Sequence, residues 1–276
     1  MMADQGDTLA RIADALERIA GSVDRETDWH SAPAYVWDGS MGRPVEMLDA
    51  RRLDLLKGID AQRDVVAENV IRLAQGHAAH DMLLWGARGT GKSALVRASV
   101  ANAQSSVPGA LALIQAATDT LETLPRLFTR LRGIERNFLV FIDDLGFSED
   151  DSVGPRHLRS WLEGGVEARP VNVRLAVTAN RRAIVPRHAA EQDDPINPRD
   201  AVDDKLALAD RFGLAIGFHN CSQDAYLAII DGYAGEYGLE WDETDALEWA
   251  RRRGARSGRT AWQYVIELAG RAGRRI

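Results

Sequence analysis

Residues 86–93 read Gly86-Ala87-Arg88-Gly89-Thr90-Gly91-Lys92-Ser93. The apolar run Met82-Leu83-Leu84-Trp85 leads directly into them, and the helix-forming stretch Ala94-Leu95-Val96-Arg97-Ala98 follows. Strand, glycine-rich turn and helix in this order make a phosphate-binding loop, because glycines let the backbone wrap an oligophosphate at a helix N-terminus, where N–H groups face its charge. In such a loop Lys92 reaches the β- and γ-phosphates and the Ser93 hydroxyl holds Mg²⁺. Gly86, Ala87, Arg88, Gly89, Thr90, Gly91, Lys92, Ser93 and Ala94 are therefore candidate ATP contacts. Lysine occurs only at Lys57, Lys92 and Lys205, arginine supplying positive charge almost everywhere else. The ammonium at Lys92 thus answers a chemical need for a slim point charge rather than a compositional habit.

Working outward, the chain has 276 residues, 45% hydrophobic and 27% charged, which suits a globular protein with one main core and a smaller second unit. A net charge of −7 gives no global affinity for nucleic acid. No apolar run approaches the roughly 20 residues needed to span a bilayer, and residues 1–26 lack a basic, then hydrophobic leader, so a cytoplasmic protein with no membrane partner is expected. The single cysteine, Cys221, excludes an internal disulfide framework and a cysteine-based zinc site. His77 and His80 form the only close histidine pair, without a carboxylate to complete a metal site.

Residues 6–19 repeat Leu9, Ile12, Ala13, Leu16 and Ile19 at helical spacing, a short amphipathic helix that could dock on its own core, on another subunit or on a partner. The following segment, with Trp29, Pro33, Tyr35, Trp37 and Pro44, reads as an irregular linker. Residues 53–73 turn helical again, with Asp60 as a candidate cap. Beyond the loop, residues 110–114, 138–142, 173–177 and 215–218 have strand-like composition and are separated by helical or polar stretches. Together with 82–85 they predict an α/β fold: a parallel five-stranded sheet with helices on both faces. From Ser222 onward residues 222–233, 244–252 and 257–271 carry capping residues and helical periodicity, predicting a small all-helical lid. The expected domains are 1–48 (helix and linker), 49–219 (core) and 220–276 (lid). The polar loop 186–204 is either a functional element or a surface insertion.

The strand 138–142 ends in Asp143-Asp144. Open α/β sheets bind ligands at the C-terminal ends of their strands, so two carboxylates there lie beside the phosphate loop. Asp143 would position Mg²⁺ and Asp144 would act as general base toward an attacking water. The strand 173–177 ends in Thr178-Ala179-Asn180, whose uncharged amide could contact the γ-phosphate or that water.

Taken in order, Gly58-Ile59, Gly86 to Ser93, Asp143-Asp144, Thr178-Ala179-Asn180, Ala209-Asp210-Arg211-Phe212 and Ser257-Gly258-Arg259-Thr260 resemble the motif series of an AAA+ P-loop ATPase. Thr178 to Arg182, together with residues 204–214, is similar to a bacterial AAA+ family catalogued as a domain of unknown function. The resemblance implies that Gly58 and Ile59 line the adenine pocket and that Asn180 is a first sensor. It also implies that Arg211 is an arginine finger for a neighbouring subunit and Arg259 a second sensor, Arg256 being the rival. AAA+ chains usually carry Glu where Asp144 stands, and the shorter side chain implies slow turnover. The aromatic pore loop of protein-threading members is missing, since residues 115–121 read Gln-Ala-Ala-Thr-Asp-Thr-Leu.

The expected function is Mg²⁺-dependent ATP hydrolysis in a homo-oligomer with shared sites, coupled to assembly and remodelling of a protein or nucleic-acid partner. The alternative is a nucleotide-gated scaffold with slow or incidental hydrolysis. A small-molecule kinase is disfavoured by the finger and the C-terminal lid.

Overall fold

The computed structural model describes residues 27–146, Leu158, Leu162, 169–181 and 209–276. The predicted helix 6–19 and the loop 186–204 lie outside the described residues. The strands, in chain order, are β1 (Ala34–Trp37), β2 (Gly42–Val45), β3 (Met82–Gly86), β4 (Leu111–Ala116), β5 (Asn137–Ile142), β6 (Val173–Ala179) and β7 (Leu214–Phe218). The α-helices that lie wholly within the described residues are α1 (Asp60–Ala74), α2 (Lys92–Ser106), α3 (Leu124–Leu131), α4 (Gln223–Tyr237), α5 (Glu243–Arg252) and α6 (Gly258–Arg271).

All strands join one seven-stranded sheet in the order β2-β1-β4-β5-β6-β3-β7. Every pairing is parallel except β1 with β2. The five predicted strands, β3 to β7, are contiguous in this sheet and parallel to one another, and their composition explains why. In β5, Phe138, Val140 and Ile142 face one core with α3, while Leu139 and Phe141 face another with α1 and α2. A strand buried on both faces must be apolar at every position, which is the signature of a parallel sheet covered by helices.

The sheet is larger than expected at one edge. Residues 34–45, read as linker, form β1, parallel to β4, and β2, antiparallel to β1. These strands are four residues long and rich in aromatics, glycine and proline, so no alternating pattern reveals them. Tertiary packing decides their conformation. Tyr35 and Trp37 are 1% exposed, and Trp29 packs edge-on to Phe138 at 5.9 Å between centroids. Pro44 is tolerated because β2 is an edge strand, where a missing N–H breaks no ladder. The buried Arg136 donates from Nη1 to the carbonyls of Trp29 (2.6 Å) and Ala32 (2.9 Å), and from Nη2 to that of Leu111 (3.0 Å), tying this segment to β4.

Helix α1 also departs from the reading in detail. Its N-cap is Ile59 with no side-chain cap, and Asp60 instead pairs with Arg63 at 2.7 Å. The lid helices are capped by side chains: Ser222 and Ser257, at the predicted starts, and Asp242, two residues ahead of the predicted start of the middle helix, each accept a backbone N–H from the first turn. They enclose their own apolar cluster around Tyr226, Ile230, Tyr264 and Val265. Burial pushes the Tyr226 phenol up to about 12, and its hydroxyl donates to the Ala246 carbonyl at 3.1 Å. Among the described residues no helix is long and apolar enough to cross a membrane.

Arg136→Ala would leave the Trp29 and Ala32 carbonyls without a donor and the Leu111 carbonyl with Gln104 alone, and is expected to lower the unfolding free energy by about 2–4 kcal/mol in urea titration. A loss below about 0.5 kcal/mol would mean that β1 and β2 are not held by this contact.

Candidate functional site

The sheet order decides which side chains meet. β6 lies between β5 and β3, so the ends of these strands, carrying Asp143-Asp144, Thr178 to Asn180 and the 86–93 loop, stand side by side. A register of Ile142 with Val177 and of Leu84 with Thr178 brings their termini to one level.

The loop is built as its glycines require. Gly86, Gly89 and Gly91 have φ of 143°, 79° and 98°, and a Cβ on Gly86 would lie 2.1 Å from the Phe218 carbonyl oxygen on β7. Gly91 caps α2, whose first turn presents its unpaired N–H groups toward the loop. Lys92 is 7% exposed, and its Nζ donates to the carbonyls of Gly86 and Ala87, both at 2.8 Å. An ammonium has three donors, which leaves one for a ligand. Burial pulls the Lys92 pKa below the ordinary lysine value, Asp144 and Asp143 oppose that shift, and Arg259 and Arg88 add to it.

The acidic end is joined by one hydroxyl. Thr178 Oγ donates to Asp143 Oδ1 at 2.6 Å and accepts the Asp144 backbone N–H at 2.8 Å. Ser93 Oγ donates to the same Asp143 Oδ1, also at 2.6 Å. Asp144 adopts a left-handed backbone, φ 53°, unusual outside glycine, so its side chain leaves the strand direction and turns toward Arg88 and Asn180. Asn180 Nδ2 donates to its Oδ1, and Arg88 Nη2 approaches its Oδ2 at 3.3 Å.

These groups border a cavity of ≈ 680 Å³, within the range of about 300–1,000 Å³ that small-ligand clefts occupy. Arg88, Gly89, Thr90, Gly91, Lys92, Ser93, Ala94, Asp143, Asp144, Thr178 and Asn180 line it, with Ile59 on one wall and Arg259 on the lid. Gly258 sits against the loop, where a Cβ would be 3.3 Å from the Gly89 carbonyl oxygen, so the start of α6 carries Arg259 rather than Arg256 to the cavity. Gly86 and Ala87 lie beneath the loop as acceptors for Lys92 and do not line the cavity. Gly58 does not line it either. It turns the chain at φ 76° where a Cβ would meet the Ala225 Cβ at 2.8 Å, docking the α1 entrance on the lid.

Arg211 stands apart. It precedes β7 by three residues, and β7 runs parallel to β3, so Arg211 lies at the opposite end of the strands from the loop.

Several lining residues were not singled out from sequence. Thr178 belonged to a noted motif without a role. Tyr233 and Trp262 fit the apolar periodicity of lid helices, and only docking of the lid places them at the cavity, with rings 5.0 Å apart and the Arg51 guanidinium 3.7 Å above Trp262. Nothing in local patterning distinguishes such positions from core.

The donor set of Ser93 and Asp143 is hard oxygen. This fits Mg²⁺, which is held through one or two protein oxygens and substrate phosphates, better than zinc or calcium.

The chain belongs to the family described as Protein of unknown function (DUF815), which matches residues 30–272. A search of curated proteins finds no match. Among solved structures, the chain is similar to a variant of Thermotoga maritima RuvB, with TM-score 0.54 and 17% identity over 82% of this chain and 68% of that one. A second structure of that protein, described as a Holliday junction branch migration motor, gives TM-score 0.51 and 16% identity over 82% and 68%. Aeropyrum pernix ORC1 in complex with DNA gives TM-score 0.52 and 18% identity over 80% and 65%. At these identities the likeness establishes the fold, which is that of AAA+ P-loop proteins, here with seven strands rather than the five expected from sequence.

Thr178→Val would orphan the Asp144 N–H and release Asp143. It is expected to lower unfolding free energy by about 1–3 kcal/mol, with Thr178→Ser recovering most of that, as read by thermal or urea unfolding. An unchanged stability would show that the hydroxyl does not join the two strands.

Proposed function

Taking family membership and fold as the premise, we propose that this chain is a Mg²⁺-dependent ATPase that works as a homo-oligomer in the cytoplasm and couples nucleotide state to assembly and remodelling of a protein or nucleic-acid partner. The observation that carries the reading is the convergence of Lys92, Ser93, Asp143, Asp144, Asn180 and Arg259 on one cavity at the ends of β3, β5 and β6.

In this reading residues 49–219, extended by β1 and β2, form the core and 220–276 the lid. The N–H groups at the start of α2 and the remaining Lys92 donor bind the β- and γ-phosphates, while Ile59, Tyr233 and Trp262 enclose the base. Ser93 and Asp143 would hold Mg²⁺, which supplies charge neutralisation across the β- and γ-phosphate oxygens. Water attacks the γ-phosphorus, the bond to the β–γ bridging oxygen breaks, and Asp144 takes the water's proton while Asn180 orients the water. Arg259 stabilises charge on the transferred group from the lid of the same subunit. Arg211, at the far end of the strands from this loop, would act on a neighbour's site rather than its own.

A second reading, a nucleotide-gated scaffold with incidental hydrolysis, draws on one observation: both carboxylate oxygens of Asp144 are already engaged, by Asn180 and Arg88. The variants separate the two. Lys92→Ala is expected to weaken ATP binding about 100-fold or more. Asp144→Asn keeps binding and lowers phosphate release about 100-fold or more, and retained turnover in that variant would remove Asp144 as the base. Arg211→Ala loses activity and recovers part of it when mixed with Lys92→Ala subunits. Absence of recovery would count against a shared site.

A further inference from the structure

We propose that Arg88 is a positioning residue shared between Asp144 and the terminal phosphate of ATP, and that this sharing distinguishes ATP from ADP. The inference rests on the ATPase reading of the cleft.

A phosphate-binding loop needs its backbone, its lysine and its hydroxyl, and asks nothing of the side chain at the third position. Here that position carries a long guanidinium, aimed at the carboxylate that the reading makes the base. The contact is loose: Arg88 Nη2 reaches Asp144 Oδ2 with one prong at 3.3 Å, and the two side chains are 70% and 54% exposed. Charge-assisted bonds close to about 2.7–2.9 Å when they are strong, and exposed pairs of this kind shift an equilibrium by no more than about fivefold. Arg88 is therefore held where it is by little.

Its other neighbour is the phosphate site. Arg88 lines the cavity, and its charge, like that of Arg259, lowers the Lys92 pKa, so it lies within electrostatic range of the ammonium that marks the β- and γ-phosphates. A γ-phosphate offers two or more oxygens in the spacing of the guanidinium fork and a larger negative charge than a single carboxylate. It outcompetes Asp144 for Arg88. Asp144 then stays fixed by Asn180 and by the bond from its backbone N–H to Thr178, with Oδ2 released to face the attacking water. ADP lacks the phosphate that draws Arg88 away, and its β-phosphate is served by Lys92 and the loop amides, so the Arg88–Asp144 pair persists. The same guanidinium thus restrains the base until the substrate carries a γ-phosphate.

The test is equilibrium binding of ADP and of a non-hydrolysable ATP analogue, each with Mg²⁺, by calorimetry. The full chain is compared with Arg88→Ala, Asp144→Asn and the double variant. Arg88→Ala is expected to weaken the triphosphate about tenfold while changing ADP by less than about twofold. Retained ADP binding shows that the variant is folded. Asp144→Asn frees Arg88, and is expected to tighten the triphosphate by up to about fivefold, with a clearly smaller gain when Arg88 is already alanine. Equal losses for both nucleotides in Arg88→Ala, no loss for either, or the same Asp144→Asn effect in both backgrounds would overturn the inference and leave the ATPase reading standing. Failure of the wild-type chain to bind either nucleotide would overturn both.

Discussion

The hydroxyl of Thr178 is the contact on which the site's geometry depends. It is 1% exposed, sits near the end of β6, and serves both acidic residues at the end of β5, one through its side chain and one through its backbone. Because β6 separates β5 from the loop strand β3, nothing in the ladder joins the acidic end directly to Lys92 and Ser93. Thr178 closes half of that gap, and the bond from Ser93 to Asp143 closes the rest. With this chain of bonds in place, the left-handed backbone at Asp144 is sustained, since a strained residue persists only where its surroundings over-determine it.

The remaining architecture keeps those three strand ends fixed. Helices α1 and α2 cover one face and α3 the other, so the strands are clamped in register by apolar burial on both sides. The edge of β1 and β2 extends the sheet at the β4 side, and Arg136 anchors it by satisfying the Trp29 and Ala32 carbonyls, which would otherwise lack a donor, while bonding to Leu111 on β4. The lid is a separate apolar unit that meets the core at the loop: Ser257 and Gly258 pack on Gly89, and Ala225 on Gly58. Absence of side chains at these glycines is what lets the lid approach closely enough to deliver Arg259 and Trp262 to the cavity.

Much of this was legible in the sequence, for physical reasons that differ by element. Strands β3 to β6 announce themselves because burial on both faces forces continuous apolar runs, and the edge strand β7 shows a shorter version of the same signal. The lid helices announce themselves through helical periodicity and through Ser222 and Ser257 at their starts, while Asp242 caps the middle one two residues ahead of its predicted start. Lys92 and Ser93 follow from a loop whose chemistry fixes residue types at fixed spacing, and Asp143 and Asp144 from their place at the C-terminal end of an apolar strand. Strands β1 and β2 were hidden because four-residue strands with Gly42 and Pro44 carry no period, and their conformation is set by docking Trp29, Tyr35 and Trp37 onto β4 and β5. Thr178, Tyr233 and Trp262 were hidden for the same kind of reason: their neighbours are remote in sequence. Arg211 lies at the opposite end of the strands from the loop, a separation that the order of motifs along the chain does not reveal.

The measurement that bears most directly on the account is a calorimetric titration of the purified full chain with ATP, with and without Mg²⁺. The account predicts one saturable site per chain, with binding in the micromolar range that weakens when Mg²⁺ is withheld. Absence of saturable binding up to about 1 mM ATP in the presence of Mg²⁺ would contradict it, because a loop, a lysine and two carboxylates so arranged would then serve no nucleotide.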